Sequence, residues 1–502
     1  MMSTTKRLLL LFLAALIGAC TRQAHTAPYI NFSKVGSGQE LTATIDPFIP
    51  PTRIPDQPIY TPTPSAPLPL PTLRTVDIYY SVQSGDTVKS IAYQYNLLPE
   101  QIIDANQITN PSLIYTGQKL LLPVPKISET GPSYKIIPDS ELIRSPYTVR
   151  FQIDPFINNQ PGFLKEYQVE VNGEELSSGE IVSRISQDYS VNPRLLLAII
   201  EHQSGWLSSK DNQDNPYPLG YREFGYEGLF YQLAWAADEL NRGYYLWKVK
   251  GIGSWTLKDG INVPIDPTIN AGTAGVQNLF AQLLPLGKWT PVVTEDGFVN
   301  TYINLFGYPF DFTFTPIIPG DLAQPQLQLP FEDGVTWLFS GGPHGGWDTG
   351  SAWAAIDFAP MAKDLGCQSS NEWVGAVADG IITRSDHGAV VQSIDGDPYD
   401  QTGWSILYMH IDPRDRVEIG TRLQAGDKIG HPSCEGGIST GTHLHIARRY
   451  NGEWIPADQD LPFNLDGWIS QGLGYEYQGL MVRGDQTIRA EDTKTDFNRI
   501  ER

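Results

Sequence analysis

The chain has 502 residues, of which 41% are hydrophobic and 18% charged, and its formal net charge is −21. This length exceeds what one hydrophobic core accommodates, and the composition is typical of soluble globular domains rather than of a disordered protein. The negative charge argues against a nucleic-acid partner, because a phosphate backbone is bound by clustered Lys and Arg.

The N-terminus has the pattern of an export signal. Lys6 and Arg7 precede an apolar run, Leu8 to Ile17, which is too short to span a bilayer and is followed by small residues. The cysteine directly after them resembles a bacterial lipoprotein signal. That resemblance implies a signal peptide at 1–19, a lipid on Cys20, and an extracytoplasmic protein anchored to the cell membrane and facing the wall. An ordinary signal peptide and a secreted protein are the alternative.

Two cysteines besides Cys20 occur in the sequence, Cys367 and Cys434. Oxidising conditions outside the cytoplasm favour a bridge between the two cysteines of an exported chain. We therefore predict a Cys367–Cys434 disulfide, with two free thiols as the alternative.

A proline-dense stretch runs from Pro47 to Pro71. Such a composition favours extended polyproline II chain and forms no core, so residues 20–77 are predicted to be a stiff linker. A second, shorter linker is predicted at 125–145.

Residues 78–124 have the pattern of a small β-α-α-β unit. Its motifs VQSGDTVKSIAYQYN and IYTGQKLLLP resemble a LysM domain. This resemblance implies binding of N-acetylglucosamine-containing glycans through the loops after the first strand and before the last. Carried over, it indicates four contact residues, for which helix capping and loop packing are the alternative: Asp86, Thr87, Pro111 and Ile114.

Residues 146–320 are predicted to form a mainly α-helical domain. The segment RLLLAIIEHQSG resembles the start of lysozyme-like lytic transglycosylases, whose helix ends in Glu-Ser-Gly with the catalytic acid. Gln203 stands in place of that acid, and glutamine cannot protonate a leaving glycosidic oxygen. Glu201 lies roughly 200° around the helix from it. The domain is therefore predicted to be non-catalytic, with a muramidase-like activity as the alternative.

From 329 to 474 short apolar runs alternate with Gly and Asp, which is typical of an antiparallel sheet protein. Residues 475–502 are predicted to be a C-terminal extension. In a strand over THLHI, His443 and His445 share one face, and two imidazoles on one face suit zinc or a ligand with a neighbouring base. Tyr408 and His410 have the same spacing.

A carboxylate and a further histidine complete the candidate site. Asp357 lies between apolar neighbours, where a carboxylate is costly unless it is paired or metal-bound. His344 lies in the glycine-rich segment GGPHGG. Together with His445 these residues form three ligands with one position open, the pattern of a catalytic zinc.

The motifs GGPHGG, AIDFAP, LYMHID and SCEGGISTGTHLHIARRYNGEW resemble those of the beta-lytic metalloendopeptidases, relatives of the lysostaphin-type wall hydrolases. The resemblance implies an antiparallel β-sheet metallopeptidase with one Zn²⁺ held by His344, Asp357 and His445. It implies that His443 is the base and that His410 stabilises the oxyanion, with Tyr408 assisting. The sequence departs from the wider family at Trp353. That family has its first histidine four residues before the aspartate, and this chain has a tryptophan there.

These features predict a multidomain zinc endopeptidase that cleaves the peptides of peptidoglycan and is brought to the wall by its LysM module. The expected partners are the peptide and glycan of peptidoglycan and, through the lipid, the membrane. A non-hydrolytic wall-binding scaffold or hydrolase activator is the alternative, and it predicts a site without metal.

Overall fold

The computed structural model describes residues 46–53, 58–59, 61–83, 86–211, 213–361 and 366–502. The predictions on the signal peptide and on Cys20 lie outside this part of the chain. Within it, residues 47–502 form one compact unit. Within the described part, no helix has the length and apolar character that crossing a membrane requires.

The LysM-like unit has the predicted order. Strand β1 (Ile78–Ser81) is followed by helices α1 (Val88–Gln94) and α2 (Pro99–Asn106) and by strand β2 (Lys119–Leu122), which pairs antiparallel with β1. Thr87 caps α1, because its hydroxyl accepts from the Ser90 N–H. The core is small and fully apolar.

The middle region is mainly helical. Its helices are α3 (Ile153–Asn158), α4 (Ser178–Tyr189), α5 (Pro193–Ser204), α6 (Leu229–Lys248), α7 (Ala271–Leu283), α8 (Leu286–Val292) and α9 (Phe298–Phe306). Its short strands are β3 (Lys126–Ile127), β4 (Gln168–Val171), β5 (Glu174–Ser177), β6 (Ser254–Thr256) and β7 (Ile261–Pro264). Asn192 caps α5 and proline follows at the first helical position, as the Asn-Pro sequence favours.

The prediction of a linker at 125–145 is wrong. Strand β3 pairs with β7, and Ile136, Ile137 and Leu142 are fully buried in the middle region's core. The proline-rich segment also lies against the middle region, where the Ser65 N–H donates to the Thr268 carbonyl at 2.8 Å. Prolines remove donors but leave carbonyls and side chains that pack, so this composition did not prevent docking.

The C-terminal region is built on a large antiparallel sheet. Its strands are β8 (Trp337–His344), β9 (Ala355–Pro360), β11 (Gly380–Asp386), β12 (Ala389–Ser393), β13 (Trp404–Met409), β14 (Arg422–Leu423), β16 (Leu444–Tyr450), β17 (Glu453–Trp454) and β22 (Arg499–Ile500). The spatial order is β14-β11-β12-β13-β16-β9-β8-β22, with β17 beside β16. A separate pair is formed by β10 (Val374–Gly375) and β15 (Lys428–Gly430), and a four-stranded sheet by β18 (Asn464–Leu465), β19 (Trp468–Gly472), β20 (Gly479–Arg483) and β21 (Gln486–Arg489).

The prediction of a separate C-terminal extension at 475–502 is wrong as well. Strands β20 and β21 complete the four-stranded sheet, and β22 pairs with β8 of the large sheet. These strands are short, so their pairing depends on the edges that the rest of the domain presents.

The two faces of the large sheet contact different partners. One face, including Ile446 and Phe358, packs in the C-terminal region's own core. The other face, including Ala355 and Ala447, packs in one cluster with the middle region. An ion pair joins the two regions on this side: Asp400 accepts from Arg144 of the middle region (2.5 Å) and also from Arg449 of its own region (3.0 Å).

Candidate metal centre

Three neighbouring strands bring the predicted ligands together. His445 on β16 pairs directly with Asp357 on β9, so their side chains share one face. His344 ends β8, where the register with β9 shifts between Gly341 and His344. Such an irregularity re-aims a side chain, and it directs the His344 ring to the same point.

The ligand atoms of His344, Asp357 and His445 all lie within 4.8 Å of one another, and all three residues are buried. The His344 Nε2 atom is 2.9 Å from His445 Nδ1 and 3.3 Å from Asp357 Oδ1. His445 Nδ1 is 3.4 Å from the same carboxylate oxygen. Two imidazoles and one carboxylate converging in this way form a donor set that suits Zn²⁺.

Backbone carbonyls determine which ring nitrogens face the cluster without a proton. His344 donates from Nδ1 to the Gly342 carbonyl at 2.8 Å, and His445 donates from Nε2 to the Gly346 carbonyl at 3.1 Å. A neutral imidazole carries one proton, so the two nitrogens that face each other present lone pairs. A hydrogen bond from the far nitrogen of the ring to a backbone carbonyl orients a metal-binding histidine.

Asp357 is suited to be the third metal ligand. Its Oδ1 atom is buried and has no hydrogen-bond partner among the described residues. Burial opposes the charged form, but positive charge on His344 and His443 outweighs it and holds the pKa of Asp357 well below its usual range. A cation bound between the neutral rings would supply the same positive charge. A buried, unpartnered, ionised oxygen facing two lone pairs is the environment that a cation would complete.

His443 and His410 lie beside this cluster. His443 Nε2 is 3.9 Å from Asp357 Oδ1, and the rings of His443 and His410 are 4.4 Å apart. His443 donates from Nδ1 to the Gly441 carbonyl (2.7 Å), and His410 donates from Nδ1 to the Glu435 carbonyl (3.0 Å). In its neutral form each ring therefore presents an unprotonated Nε2, which accepts a proton rather than donating one.

The environment of His410 favours its neutral form. Burial and the charges of His443 and His445 lower the pKa of His410 to about 3. His410 can therefore donate a hydrogen bond from Nε2 only after it has taken up a proton.

Tyr408 is not at the site, which corrects the expectation from its spacing. Its side chain is fully buried in the core on the opposite face of the sheet. Its hydroxyl donates to Gln392 at 2.8 Å and accepts from the Val377 N–H at 2.9 Å. Alternation fails because β13 ends at Met409 and His410 adopts a left-handed backbone with φ 66°.

Tyr477 is a site residue that the sequence reasoning missed. Its ring stacks on His344 with centroids 4.2 Å apart, and it is 55% exposed. The Tyr477 carbonyl accepts from the Gly342 N–H at 2.8 Å, which joins this turn to the strand that ends in His344. The segment GLGYEYQG is rich in glycine and tyrosine, so no signal beyond exposed-loop composition could have found Tyr477.

The disulfide lies close to the His443–His445 strand. Cys367 and Cys434 are joined, with Cα atoms 5.7 Å apart. Next to it, the Gln368 N–H donates to the Thr442 hydroxyl at 2.8 Å. The bridge thereby links the segment before His443 to the loop that follows β9.

The four residues predicted to contact sugar have structural partners in the LysM-like unit. Asp86 accepts from the Tyr80 hydroxyl (2.7 Å) and Thr87 caps α1. Pro111 begins a single 3₁₀ turn, and Ile114 packs against the small core. These contacts agree with the alternative, in which the four residues cap a helix or pack in a loop. A second role for them in binding sugar stays a prediction.

In the middle region, the Gln203 side chain donates to the Leu219 carbonyl at 2.7 Å. Glu201 accepts from the Leu207 N–H at 2.9 Å and from the Ser208 hydroxyl at 2.5 Å. Both side chains thus hold loops that follow α5. The resemblance to lytic transglycosylases stays a prediction.

Comparison with known proteins agrees with this organisation. Residues 80–123 match the LysM domain, residues 135–317 match the LasA N-terminal domain, and residues 362–456 match Peptidase family M23. The last match contains His410, His443 and His445, and it begins after His344 and Asp357. The chain therefore resembles a metallopeptidase of family M23 that also contains a LysM domain.

Individual relatives carry the same resemblance. The chain is 24% identical over 293 residues to Protease LasA of Pseudomonas aeruginosa, covering 55% of this chain and 67% of that protein. It is 28% identical over 134 residues to the Beta-lytic metalloendopeptidase of Lysobacter enzymogenes, covering 26% and 71%. A solved structure titled "A Novel M23 Metalloprotease Pseudoalterin from Deep-sea" matches 36% of this chain and 100% of its own, with 22% identity and a TM-score of 0.30.

Proposed function

We propose that the protein is a zinc-dependent endopeptidase that hydrolyses peptide bonds of bacterial peptidoglycan. The observation that carries the proposal is the convergence of three ligand atoms from His344, Asp357 and His445 within 4.8 Å. The backbone carbonyls that select the unprotonated nitrogens support a resident cation, and the donor set suits one Zn²⁺ per chain.

A bound zinc ion would lower the pKa of a water molecule and polarise the scissile carbonyl. His443 would act as the base that accepts a proton from water, and the 3.9 Å distance from its Nε2 to Asp357 Oδ1 supports this role. It would then return the proton to the leaving amine. His410 would stabilise the oxyanion by a hydrogen bond from Nε2 once it has taken up a proton.

The remaining domains would bring this chemistry to the wall. The LysM domain binds the glycan in this proposal, with Asp86, Thr87, Pro111 and Ile114 as candidate contacts. The middle domain is non-catalytic, in keeping with Gln203 in place of an acid. A lipid on Cys20 would anchor the protein to the membrane on its outer side.

The deciding experiment incubates purified peptidoglycan with the wild type and with His445→Ala and analyses the fragments by mass. We expect peptide fragments from the wild type and none from the variant. His387→Ala is the matched control, since His387 is a half-exposed histidine paired with Glu174. Equal fragment release by wild type and His445→Ala would overturn the proposal. Release by neither protein would favour the alternative of a non-hydrolytic scaffold.

A further inference from the structure

The loop that directly follows His344 is rich in glycine. It comprises residues 345–351 (GGWDTGS), leads toward β9, and is called the ligand loop below. Within it, the Trp347 N–H donates to the Ser351 hydroxyl at 2.9 Å. Glycine has more backbone freedom to lose than any other residue, so a loop of this composition depends on contacts outside itself for a fixed shape.

The ligand loop orients one histidine of the metal centre and adjoins another. Its Gly346 carbonyl accepts from His445 Nε2 at 3.1 Å, which leaves the Nδ1 lone pair of His445 toward His344. If this carbonyl moved away, the ring could carry its proton on Nδ1 instead, and a protonated nitrogen cannot bind a metal. The position of the ligand loop therefore affects how well His445 serves as a ligand.

The middle domain holds the far end of the ligand loop through Asp238, a buried residue of α6. The Oδ1 atom of Asp238 accepts from the Gly350 N–H at 2.6 Å, and its Oδ2 atom accepts from the Thr349 hydroxyl at 3.2 Å. Gly350 lies so close to α6 that an added Cβ would be 2.0 Å from the Asp238 carbonyl oxygen. A carboxylate that accepts from a backbone N–H makes one of the stronger hydrogen bonds in proteins.

Two further side chains of the middle domain bond the ligand loop. Arg242, one turn along α6, donates to the Thr349 hydroxyl at 2.6 Å and to Asp238 Oδ2 at 2.8 Å. Tyr189, at the end of α4, donates to Asp348 at 3.0 Å. Two helices thus hold three consecutive residues of the loop, and side chains on helices are more precise supports than side chains on loops.

We propose that Asp238 is a positioning residue for the metal centre, which acts through the ligand loop on the ring of His445. By holding Gly350 it fixes the shape of the loop and keeps the Gly346 carbonyl in place to accept from His445 Nε2. The inference rests on the proposed function, because it concerns the same metal centre. It assigns the middle domain a part in metal binding, although the domain supplies no ligand.

The first test is the zinc affinity of the full chain, measured by competition with a chromogenic chelator. Burial raises the pKa of Asp238 to about 7, so the measurement is made at about pH 8, where the carboxylate is ionised. Asp238→Ala should bind zinc about tenfold more weakly than the wild type, as for other groups behind a ligand. The loss is partial because Gly346 also lies against the Trp454 ring.

Two matched variants distinguish positioning from other effects. Asp238→Asn keeps an oxygen for the Gly350 N–H and should retain most of the zinc affinity, whereas an effect of charge would weaken it as much as Asp238→Ala. Asp400→Ala removes another buried carboxylate at the contact between the same two regions, where Asp400 bonds Arg144. This control should bind zinc like the wild type.

Nitrogen NMR of the imidazole rings in the metal-free protein gives a second readout, because it reports which nitrogen of His445 is protonated. We expect Nε2 in the wild type and in Asp400→Ala, and a share of Nδ1 in Asp238→Ala. Thr349→Val, at an exposed position, removes one bond to Asp238 without altering the middle domain. It should show the same change to a smaller extent, which keeps the test decisive if Asp238→Ala does not fold.

Equal zinc affinity and an equal His445 tautomer in wild type and Asp238→Ala would overturn the inference. A loss of affinity as large in Asp238→Asn or in Asp400→Ala would overturn it too, because charge or the general stability of the contact would then be responsible. If the wild type binds no zinc, the proposed function fails, and the tautomer of His445 alone decides this inference.

Discussion

The His344 Nε2 atom lies 2.9 Å from the His445 Nδ1 atom. Each ring donates from its other nitrogen to a backbone carbonyl, so neither facing nitrogen carries a proton in the neutral form. Two lone pairs at this distance repel, and the ionised Asp357 beside them adds negative charge. A divalent cation removes both costs, which is the physical basis for the metal predictions below.

Substitution of a ligand should abolish metal binding. We expect one zinc ion per wild-type chain and close to none in His445→Ala, measured by elemental analysis of dialysed protein. His387→Ala should keep its zinc. A chelator should also lower the melting temperature of the wild type more than that of His445→Ala, since a ligand stabilises only the state that binds it. Full zinc occupancy in His445→Ala would contradict the assignment.

His443→Ala should separate metal binding from catalysis. We expect zinc content to stay at the wild-type level, because His443 is not among the three converging ligands. Cleavage of wall peptides should fall by about a hundredfold or more, the usual effect of removing a general base. A variant that loses zinc together with activity would instead place His443 among the ligands.

Gly341→Ala should disturb the metal carboxylate without changing any ligand. A Cβ atom at Gly341 would lie 2.5 Å from Asp357 Oδ2, so the carboxylate must move. We expect zinc affinity to fall by about tenfold to a hundredfold, as for other changes behind a ligand. Gly287→Ala is the matched control, because nothing lies within 4 Å of its added Cβ. Competition with a chromogenic chelator measures both affinities.

The ion pair of Asp400, which joins the middle and C-terminal regions, should make the stability of the protein depend on pH. Burial opposes ionisation of Asp400, but Arg144 and Arg449 lower its pKa from 3.8 to about 2. A carboxylate whose pKa is lower in the folded than in the unfolded state stabilises the fold at pH values above its unfolded pKa. That stability is lost as the pH falls toward its folded pKa.

As the pH falls from about 5 to about 3, protonation of Asp400 should therefore lower the wild type's free energy of unfolding by about 1 kcal/mol. Asp400→Asn has no such group, so its stability should change less over the same range. Urea denaturation at each pH measures both proteins, and Asp485→Asn, on an exposed turn, serves as control. Parallel pH profiles of wild type and Asp400→Asn would disprove this role.

The middle domain should release no sugar ends. We expect neither the wild type nor Glu201→Gln to generate new reducing or anhydro ends in purified peptidoglycan, because the Glu201 carboxylate is already bound by backbone and hydroxyl donors. Chromatography of reduced fragments measures this. New sugar ends that disappear in Glu201→Gln would restore the muramidase interpretation.

Several features of the fold could be predicted because their determinants are local. The order of the LysM-like unit follows from turn, cap and strand patterns within 45 or so residues. The shared face of His443 and His445 follows from strand alternation, because His445 lies in β16 and His443 pairs with Ser433 just before that strand. The same argument failed at Tyr408 and His410, where a single left-handed residue ends the alternation.

The sequence by itself determined which groups are available for chemistry: the histidines, the buried carboxylate and the modules around them. It did so because ligand types, helix caps and strand alternation depend on residues close together in the chain. Only the tertiary structure decided that Tyr477 lies on His344, that residues 125–145 and 475–502 belong to the folded domains, and which nitrogen of each ring faces the metal centre. Those outcomes depend on contacts between segments far apart in the chain, where packing and backbone carbonyls rather than local pattern select the arrangement.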